Sequence, residues 1–384
     1  MSNQINQKIG ILGGGQLGKM LLQETTNLNL HVSVLDPDHH APAKHLCQSF
    51  TQGSFSDENT VLNFGEKLDV ITIEIEHVHT GALKKLEAQG KKVFPQPHII
   101  ELIQDKGLQK RFFEQNNIPT AAFALIESES EIKDLPLHFF PAFQKTRTQG
   151  YDGKGVKKIQ SPNEPSENCL KGPSVIEKEV EYLIEIAVIT AHNGNGEIVT
   201  FPVIEMEFNA EANLVERVWM PSRLGVDIQN KAKEIAIRTT QKLGIIGILA
   251  VEMFVTHQGE VLVNEIAPRP HNSGHQTIEG CTISQYGMHI RAILGLPLFD
   301  AACTLVSCMV NLLGEKGHEG NAQYVGLNEL LRIPQVYPHL YGKRITKPFR
   351  KMGHVTITGL SHDEVLAKSM FVQQNVKVIA ETFG

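Results

Sequence analysis

The sequence predicts an α/β protein with a helix-flanked parallel sheet at the N-terminus, an α+β central region and a small C-terminal module. Three observations support this fold class. Short apolar segments alternate with helical patterns over the first ~100 residues, which is typical of a parallel sheet wound with helices. A glycine-rich turn links the first strand to the first helix. Beyond Asp105 the pattern changes, and strands follow one another with few helices between them.

The N-terminal region ends at Pro95 and Pro97, which interrupt the last strand pattern. Its predicted strands are Lys8–Leu12, His31–Leu35, Val70–Ile75 and Lys91–Phe94, and its predicted helices are Gln16–Thr26 and Thr80–Ala88. We expect a first domain over residues 1–104.

The central region begins with a helix over Lys106–Asn116, and Gly244 is placed to end a later helix over Asn230–Leu243. Its predicted strands are Ala142–Thr146, Ile176–Thr190, Glu197–Glu207, Ile248–Val255 and Glu260–Ile266. The C-terminal module has predicted strands near Leu305–Leu312 and His354–Thr358 and a helix from about Asp363. The expected second and third domains are therefore 105–297 and 298–384.

Composition and charge exclude several classes of protein. Apolar residues make up 41% and charged residues 20% of the chain, which is an ordinary globular composition. A net charge of −6 argues against non-specific nucleic-acid binding. The five cysteines show no CxxC spacing, so we expect free thiols in a reducing compartment. The longest apolar run, Ile245–Val251, cannot span a membrane and no signal peptide is visible, so we expect a cytoplasmic protein.

The glycine-rich turn after the first strand contains a GxGxxG pattern. Gly13, Gly15 and Gly18 precede a helix directly, and backbone N–H groups in such a turn can bind a phosphate. Asp36, at the end of the next strand, could then contact a ribose hydroxyl as in a dinucleotide site. Close packing of strand on helix explains a single GxGxxG equally well. The motif predicts a phosphate-sized pocket and leaves the cofactor open.

A second glycine-rich segment, Lys145–Val156, follows a predicted strand. Its three glycines and two lysines suit a flap whose N–H groups and cations fold over a polyphosphate. The GxxxxGK[ST] spacing is absent from the sequence, so a P-loop nucleotidase is not expected. An ordinary solvent-exposed hairpin is the alternative.

Two glutamates are predicted to face each other across a hairpin. A two-residue loop would pair His257 with Glu260, and counting back then places Glu252 opposite Glu265. Like charges at such a position destabilise a sheet, and a magnesium ion between them would remove that cost. The alternative is an acidic pair screened by water. A one-residue bulge would place the two side chains on opposite faces.

The proline-bracketed loop Pro268–His275, which follows these strands, is rich in hydrogen-bond donors. We expect this donor loop to bind substrate. Its candidate residues are Arg269, His271, Asn272 and His275, which lack a further ligand at zinc spacing. Four cations occur late in the chain, and they either form a solvated face or close over a substrate phosphate. They are Lys343, Arg344, Arg350 and Lys351.

These motifs in this order resemble the ATP-grasp superfamily and, within it, the N5-carboxyaminoimidazole ribonucleotide synthases of purine biosynthesis, the ATPase-subunit type of phosphoribosylaminoimidazole carboxylase. The resemblance covers nearly the whole chain and rests on GGGQLGKM, KTRTQGYDGKG, NEIAPRPHNSGH and RKMGH. It implies an ATP-grasp fold of three domains, a mobile lobe at about 120–180, ATP between two halves of the central domain, and a homodimer. It also implies that ATP converts bicarbonate to carboxyphosphate, which carboxylates 5-aminoimidazole ribonucleotide directly or through CO2.

The resemblance also implies roles for individual residues at matching positions. The implied ATP ligands are Lys106, Lys145, Gly150, Tyr151, Asp152, Gly153, Lys154, Gly155, Val156, Glu177, Lys178, Glu179, Val180, Glu185, Asn264 and Glu265. The implied magnesium ligands are Glu252 and Glu265. The implied ribonucleotide ligands are Gln16, Leu17, Glu76, Asn272, Lys343, Arg350 and Lys351. The implied catalytic residues are Tyr151 and Asp152, near the reacting carbon, with Arg269 and His275.

Two positions depart from the family pattern. Lys106 stands where the family usually has arginine, which keeps the charge but loses bidentate contact. Phe208 stands where a nucleotide-contacting histidine is expected. The alternative functions are a sister ligase using formate and glycinamide ribonucleotide, an NAD-dependent dehydrogenase built on Gly13–Gly18, and a non-catalytic nucleotide sensor. The HNSGH loop and the GYDGKG flap favour the bicarbonate enzyme.

Overall fold

The N-terminal sheet is parallel, as predicted, but it has one strand more than expected. The computed structural model describes residues 5–148, 150, 155–209 and 214–381. The N-terminal elements are β1 (Lys8–Leu12), α1 (Gln16–Thr26), β2 (His31–Asp36), β3 (Ser49–Gln52), α2 (Glu58–Gly65), β4 (Val70–Ile73), α3 (Thr80–Ala88), β5 (Lys92–Val93) and α4 (Pro97–Gln104). The strand order is β3-β2-β1-β4-β5. β3 was missed because it is a polar edge strand without buried residues. Pro97 starts α4 rather than ending the region, since proline fits the first turn of a helix.

The central region forms a small antiparallel sheet and most of a large one. Its elements are α5 (Lys106–Gln115), β6 (Phe123–Ile126), β7 (Ala142–Thr146), β8 (Val156–Ile159), β9 (Ser174–Lys178), β10 (Tyr182–His192), β11 (Ile198–Thr200), β12 (Ile204–Asn209), β13 (Leu214–Met220), α6 (Val226–Leu243), β14 (Gly247–Thr256), β15 (Val261–Ala267), α7 (Thr277–Gly280) and α8 (Gln285–Leu294). The small sheet has the order β6-β9-β7-β8. The single strand predicted over Ile176–Thr190 is wrong. It is β9 and β10, because the alternating pattern continues through the link between two sheets.

The C-terminal elements extend the large sheet and add a small one. They are β16 (Val306–Leu313), β17 (Gly320–Val325), α9 (Leu327–Leu330), β18 (Val336–Leu340), β19 (Ile345–Thr346), β20 (Lys351–Gly359), α10 (His362–Asn375) and β21 (Lys377–Ala380). The large sheet runs β15-β14-β10-β12-β13-β16-β20-β18, with β11 beside β10. It crosses the expected boundary at 297/298 through the β13–β16 pair, so the three-domain division stays a prediction. No helix in the described ranges has the length and apolarity needed to cross a membrane.

Helix α8 fixes the N-terminal sheet to the large sheet. Its buried Ile290 and Ile293 pack in one apolar cluster with residues of β1, β2 and α1. The Nε2 atom of its buried His289 lies 2.8 Å from the hydroxyl of Thr72 on β4. The Nδ1 atom of the same ring accepts from the N–H of Ile248 on β14. The two sheets are therefore held in a defined relation, and a contact between Glu76 and Arg269 joins the end of β4 to the end of β15.

Candidate active site

The two glutamates predicted to face each other are direct partners in the sheet. Glu252 on β14 pairs with Glu265 on β15, as expected. The predicted two-residue loop is wrong, because Val255 rather than Thr256 pairs with Val261. An extra residue in the turn shifts the register by one, and a bulge at Asn264 shifts it back. The two deviations cancel, so the pairing is confirmed although the route to it differs.

The glutamate pair has charged side chains as neighbours. Nζ of Lys106 donates to Oε2 of Glu265 over 2.9 Å, and Nε2 of His271 lies 3.1 Å from Oε1 of Glu252. The Lys106 charge holds the pKa of Glu265 below its usual value, although burial opposes this. Burial and then the Glu265 charge raise the pKa of Glu252. Two facing carboxylates disfavour each other's charged form, and a cation between them would relieve that repulsion.

A third carboxylate lies on the same face of the large sheet. Ala187 on β10 is the partner of Glu252, and Glu185 is two residues away on that strand. Side chains two apart on a strand share a face. Burial raises the pKa of Glu185 to about 7, and the charge of Glu265 adds to the increase. β10, β14 and β15 thus present an acidic surface with Glu265 near its cationic partner Lys106.

Two lysines bring the small sheet to this acidic surface. Nζ of Lys145 on β7 lies 3.0 Å from Oε2 of Glu177 and 3.3 Å from Oδ1 of Asn264, the bulge residue. Nζ of the buried Lys110 lies 3.3 Å from the same Glu177 oxygen. Burial raises the pKa of Glu177, but the two lysines outweigh it and hold the pKa below its usual value. Sequence reasoning missed Lys110; its place one helical turn after Lys106 on α5 was the available signal.

The glycine-rich flap connects β7 to β8. The N–H of Thr146 donates to the carbonyl of Gly155, whose φ of +74° suits glycine at the base of the loop. Gly150 and Val156 belong to the described part of this segment, whereas Tyr151, Asp152, Gly153 and Lys154 lie outside the described residues. Arg147, which sequence reasoning missed, bonds Asp105 through two nitrogens at 2.9 and 2.6 Å. This pair fixes the flap to the start of α5.

The predicted ATP ligands after β9 form the link between the two sheets. The N–H of Lys178 donates to the carbonyl of Ala122, and the N–H of Glu179 donates to that of Pro141. Glu179 also pairs with Lys158 at 2.6 Å, and Val180 follows before β10. The link therefore lies at the junction of the small sheet with the acidic face.

The predicted ribonucleotide ligands make contacts of their own in two parts of the molecule, the donor loop with the end of β4 and the late cations. Nε of Arg269 lies 2.7 Å from Oε1 of Glu76, which joins the donor loop to the end of β4. In the part of the chain that the structure describes, Nδ2 of Asn272 is buried without a hydrogen-bond partner. Nζ of Lys343 donates to the carbonyl of Lys351 over 2.7 Å. Further along, Nη1 of Arg350 donates to the carbonyl of Ile345.

The first glycine turn binds the protein's own carboxylates. The N–H of Gly14 donates to Oδ2 of Asp36 over 2.7 Å. The N–H groups of Gly15 and Gly18 donate to the two oxygens of Glu74 at 2.7 and 2.6 Å. A dinucleotide pyrophosphate would compete with these two acids for the same amides. The geometry therefore contradicts the dehydrogenase alternative, and Glu74 carried no motif that could have revealed it.

His275 lies beneath the donor loop in a stack of buried rings. Its Nδ1 atom lies 2.8 Å from the hydroxyl of Tyr286, and its ring centroid lies 4.6 Å from that of His354. His354 in turn stacks on His339 at 4.4 Å. Burial lowers the pKa of both His275 and His354, so these rings are neutral. With 1% of its surface exposed, His275 is placed to support the loop; its catalytic role stays a prediction.

Comparisons with known proteins cover the whole of this architecture. Models of the ribonucleotide synthetase preATP-grasp domain, the ATP-grasp domain and the phosphoribosylaminoimidazole carboxylase C-terminal domain match residues 6–104, 111–286 and 307–368. The N5-carboxyaminoimidazole ribonucleotide synthase of Bacillus subtilis is 36% identical over 95% of both chains. The chain belongs to the N5-carboxyaminoimidazole ribonucleotide synthase family. The predicted fold class and the predicted enzyme class, an ATP-grasp ligase, are thereby confirmed.

Two further relatives define how far the family likeness extends. The synthetase of Thermotoga maritima superposes with a TM-score of 0.89, at 40% identity, over 98% of this chain and 100% of its own. The phosphoribosylaminoimidazole carboxylase of Ogataea methanolica is 38% identical over 93% of this chain. The chain spans 67% of that yeast protein, and about two thirds of the other yeast carboxylases it matches.

The structure shows what surrounds Lys106 and Phe208, the two residues that depart from the expected family pattern. The side chain of Lys106 pairs with Glu265, so its positive charge lies at the glutamate pair, and its contact with ATP stays a prediction. Phe208 follows a bulge between β12 and β13 and packs beside Met206 and Val215. Here the family's expected polar contact is replaced by apolar packing.

Proposed function

We propose that this chain carries out the reaction for which its family is named, the ATP-dependent carboxylation of 5-aminoimidazole ribonucleotide by bicarbonate. The products are N5-carboxyaminoimidazole ribonucleotide, ADP and phosphate, in purine biosynthesis. The main support is the facing pair Glu252 and Glu265 beside Lys106 and Lys145, between the small and large sheets. The synthase of Aspergillus clavatus, 31% identical with a TM-score of 0.86, was crystallised with ADP and 5-aminoimidazole ribonucleotide.

Magnesium fits the donor set at the glutamate pair. Hard divalent cations prefer oxygen ligands, and magnesium is usually held by one or two carboxylates plus substrate phosphates. Glu252 and Glu265 would hold it, since burial and then the Glu265 charge raise the pKa of Glu252 and a cation would offset both. When bound, such an ion neutralises charge on a phosphoryl group during transfer.

The lysines on this side of the sheet would orient the triphosphate. Lys106 and Lys145 each reach the rim of the acidic surface, and Glu177 holds Lys145 in place. The flap between β7 and β8, including Gly150 and Gly155, would close over the phosphates with its N–H groups. Closure excludes water, which would otherwise hydrolyse an acyl phosphate. Bicarbonate is a poor electrophile, and phosphorylation gives it a leaving group.

The ribonucleotide would lie between α1, the donor loop and the late cations. The N–H groups of Gln16 and Leu17 occupy the first two positions of α1, where no intrahelical acceptor exists. They are suited to a phosphate, together with Lys343, Arg350 and Lys351. The donor on Asn272 that lacks a protein partner, among the residues described, suits a polar group of the same ligand.

Two residues predicted as catalytic are proposed here to position others. Arg269 fixes Glu76 through a 2.7 Å contact, and Glu76 would face the ribonucleotide. His275 supports the donor loop through Tyr286. Tyr151 and Asp152 lie outside the described residues, so their role near the reacting carbon stays a prediction.

We also propose three domains at 1–104, 105–297 and 298–384, a homodimer, and a cytoplasmic location. The five free cysteines suit a reducing compartment and support the last of these. Sedimentation of the purified chain tests the dimer, which a monomer at micromolar concentration would contradict.

The decisive assay measures ADP release with ATP, magnesium and bicarbonate, with and without 5-aminoimidazole ribonucleotide. We expect turnover that depends on bicarbonate and is stimulated by this ribonucleotide. Turnover that instead requires formate and glycinamide ribonucleotide would replace this proposal with the sister ligase.

A further inference from the structure

Two cysteines face each other away from the glutamate pair. Cys281 and Cys303 are partners in an isolated antiparallel bridge. The N–H of Thr282 donates to the carbonyl of Ala302, and the N–H of Thr304 donates to that of Gly280. These flanking bonds make the cysteines a non-hydrogen-bonded pair, for which the Cα atoms lie about 4.5 Å apart. A disulfide spans Cα separations of about 4.4–6.8 Å, so the backbone needs no rearrangement to form one.

The two thiols differ in their surroundings. Cys281 is buried, with Sγ 3.6 Å from Sδ of Met220, whereas Cys303 is partly exposed. The facing thiol and burial raise the pKa of Cys281, whereas the facing thiol and then the charge of Lys233 on α6 lower the pKa of Cys303. Thiol–disulfide exchange starts from a thiolate that a soluble disulfide can reach. Cys303 meets both requirements, and Cys281 is placed to act second.

We propose that Cys281 and Cys303 form a redox-modification site that low-molecular-weight disulfides such as glutathione disulfide convert to an intramolecular cross-link. The Cys303 thiolate attacks one sulfur of glutathione disulfide, which forms a mixed disulfide and releases one glutathione thiolate. Cys281 then loses its proton and attacks the Cys303 sulfur, which releases the second glutathione. Two protein thiols are oxidised and one glutathione disulfide is reduced to two glutathiones.

The cross-link would join the segment that follows the donor loop to the segment that leads into the C-terminal strands. Cys281 caps the C-terminal end of α7, which begins two residues after His275. Cys303 lies three residues before β16 starts at Val306, on the way into the C-terminal strands. Oxidation would thus link the end of α7, which follows the donor loop, covalently to the segment just before β16 of the large sheet.

The full-length wild-type protein decides the proposal. The reduced protein is equilibrated with glutathione disulfide, remaining thiols are blocked with iodoacetamide, and the mass is measured before and after digestion without reductant. Most molecules should contain one internal disulfide, found in a peptide that joins Cys281 to Cys303 and reversed by dithiothreitol. Alkylation of all five cysteines, or a cross-link between other cysteines, would overturn it.

Serine variants test the order of the two steps. Cys281→Ser should stop at a mixed disulfide, with one glutathione on Cys303, and Cys303→Ser should leave Cys281 unmodified. Cys47→Ser is the matched control, because Cys47 lies in the N-terminal region and should leave the cross-link unchanged. Glutathione found on Cys281 in the Cys303→Ser protein would contradict the assignment of Cys303 as the attacking thiol.

Discussion

Two sites in this molecule bring acidic side chains together, and they treat the negative charge in opposite ways. At the start of α1, Asp36 and Glu74 accept hydrogen bonds from the N–H groups of three glycines. On β14 and β15, Glu252 and Glu265 face each other, with Lys106 beside one of them. The first pair of acids accepts three backbone hydrogen bonds, whereas the second pair faces directly across two strands with a lysine beside one member.

The difference shows how the function of a carboxylate follows from its partners rather than from a motif. GxGxxG spacing pointed to a ligand at α1, but the protein's own acids take up those amides. The hairpin carried no named motif of its own, yet its facing acids are what a divalent cation requires. A carboxylate that accepts hydrogen bonds from the backbone, such as Glu74, stabilises the fold. Carboxylates that face each other, such as Glu252 and Glu265, are suited to bind a cation.

The largest effect is expected at the glutamate pair, where Glu252 and Glu265 face each other. Glu265→Gln keeps the shape and an acceptor for Lys106 but removes one of the two facing charges. We expect kcat for ADP release to fall by about 10²–10³, the usual cost of losing one electrostatic contact to the transition state. The melting temperature should stay close to that of the wild-type protein, because relief of the repulsion with Glu252 offsets the weaker contact with Lys106.

Glu260→Gln is the matched control, since Glu260 is exposed at the turn of the same hairpin. It should change neither turnover nor melting temperature. Wild-type turnover in Glu265→Gln would remove the magnesium assignment and, with it, the contrast between the two acidic sites.

The second prediction tests whether the start of α1 and the late cations bind one phosphate, although Asp36 and Glu74 already accept from the glycine N–H groups there. Arg350→Ala removes a cation proposed to share the ribonucleotide phosphate with the N–H groups of Gln16 and Leu17. A hydrogen bond to a charged group contributes about 1.5–3 kcal/mol, so KM for the ribonucleotide should rise roughly 10- to 100-fold. KM for ATP should stay within about twofold. Steady-state kinetics with each substrate varied in turn measures both, and Lys347→Ala at an exposed neighbouring lysine is the control. Equal increases in the two KM values would count against a phosphate role.

The hairpin shows what sequence reasoning can and cannot supply. Alternation and the glycine turn located both strands, and counting paired Glu252 with Glu265 correctly. The turn length and the bulge at Asn264 were both missed, and they cancelled. A bulge re-aims a side chain, and the side chain of Asn264 contacts Lys145, which is far away in the sequence. Register from counting is therefore secure only when such contacts are known.

The remaining omissions have the same cause. β3 has no buried residue to mark it, and the strand over Ile176–Thr190 had to be divided between two sheets. Glu74 and Lys110 act on groups distant in sequence, the glycine turn and Glu177. Family resemblance predicts which side chains contact ATP and the ribonucleotide, whereas the residues that hold those side chains in place became visible only in three dimensions.

The third prediction tests the acidic site at α1 directly. Glu74→Gln replaces an acceptor oxygen with an amide, so one of the glycine N–H groups, Gly15 or Gly18, loses its partner. An unsatisfied buried donor costs about 1–3 kcal/mol, and the free energy of unfolding should fall by that amount. Urea denaturation measures it, with exposed Glu87→Gln on α3 as control. KM for ATP should be unchanged. A stability equal to that of the wild-type protein would mean that Glu74 is not needed by the glycine turn.

The smallest effect is expected at Phe208, where the family resemblance predicts a nucleotide-contacting histidine. Phe208→His would add a donor or acceptor beside the nucleotide, and a net hydrogen bond of about 0.5–1.5 kcal/mol should lower KM for ATP about two- to tenfold. Phe208→Leu is the matched variant, because it also gives up part of the contact with Met206 and Val215 but offers no nitrogen. Both variants should lose some stability, whereas only histidine should improve ATP binding. Equal KM values for ATP in the two variants would contradict this prediction. Apolar packing at β12 would then have replaced the polar contact entirely, and the facing acids with their lysines would orient the nucleotide without it.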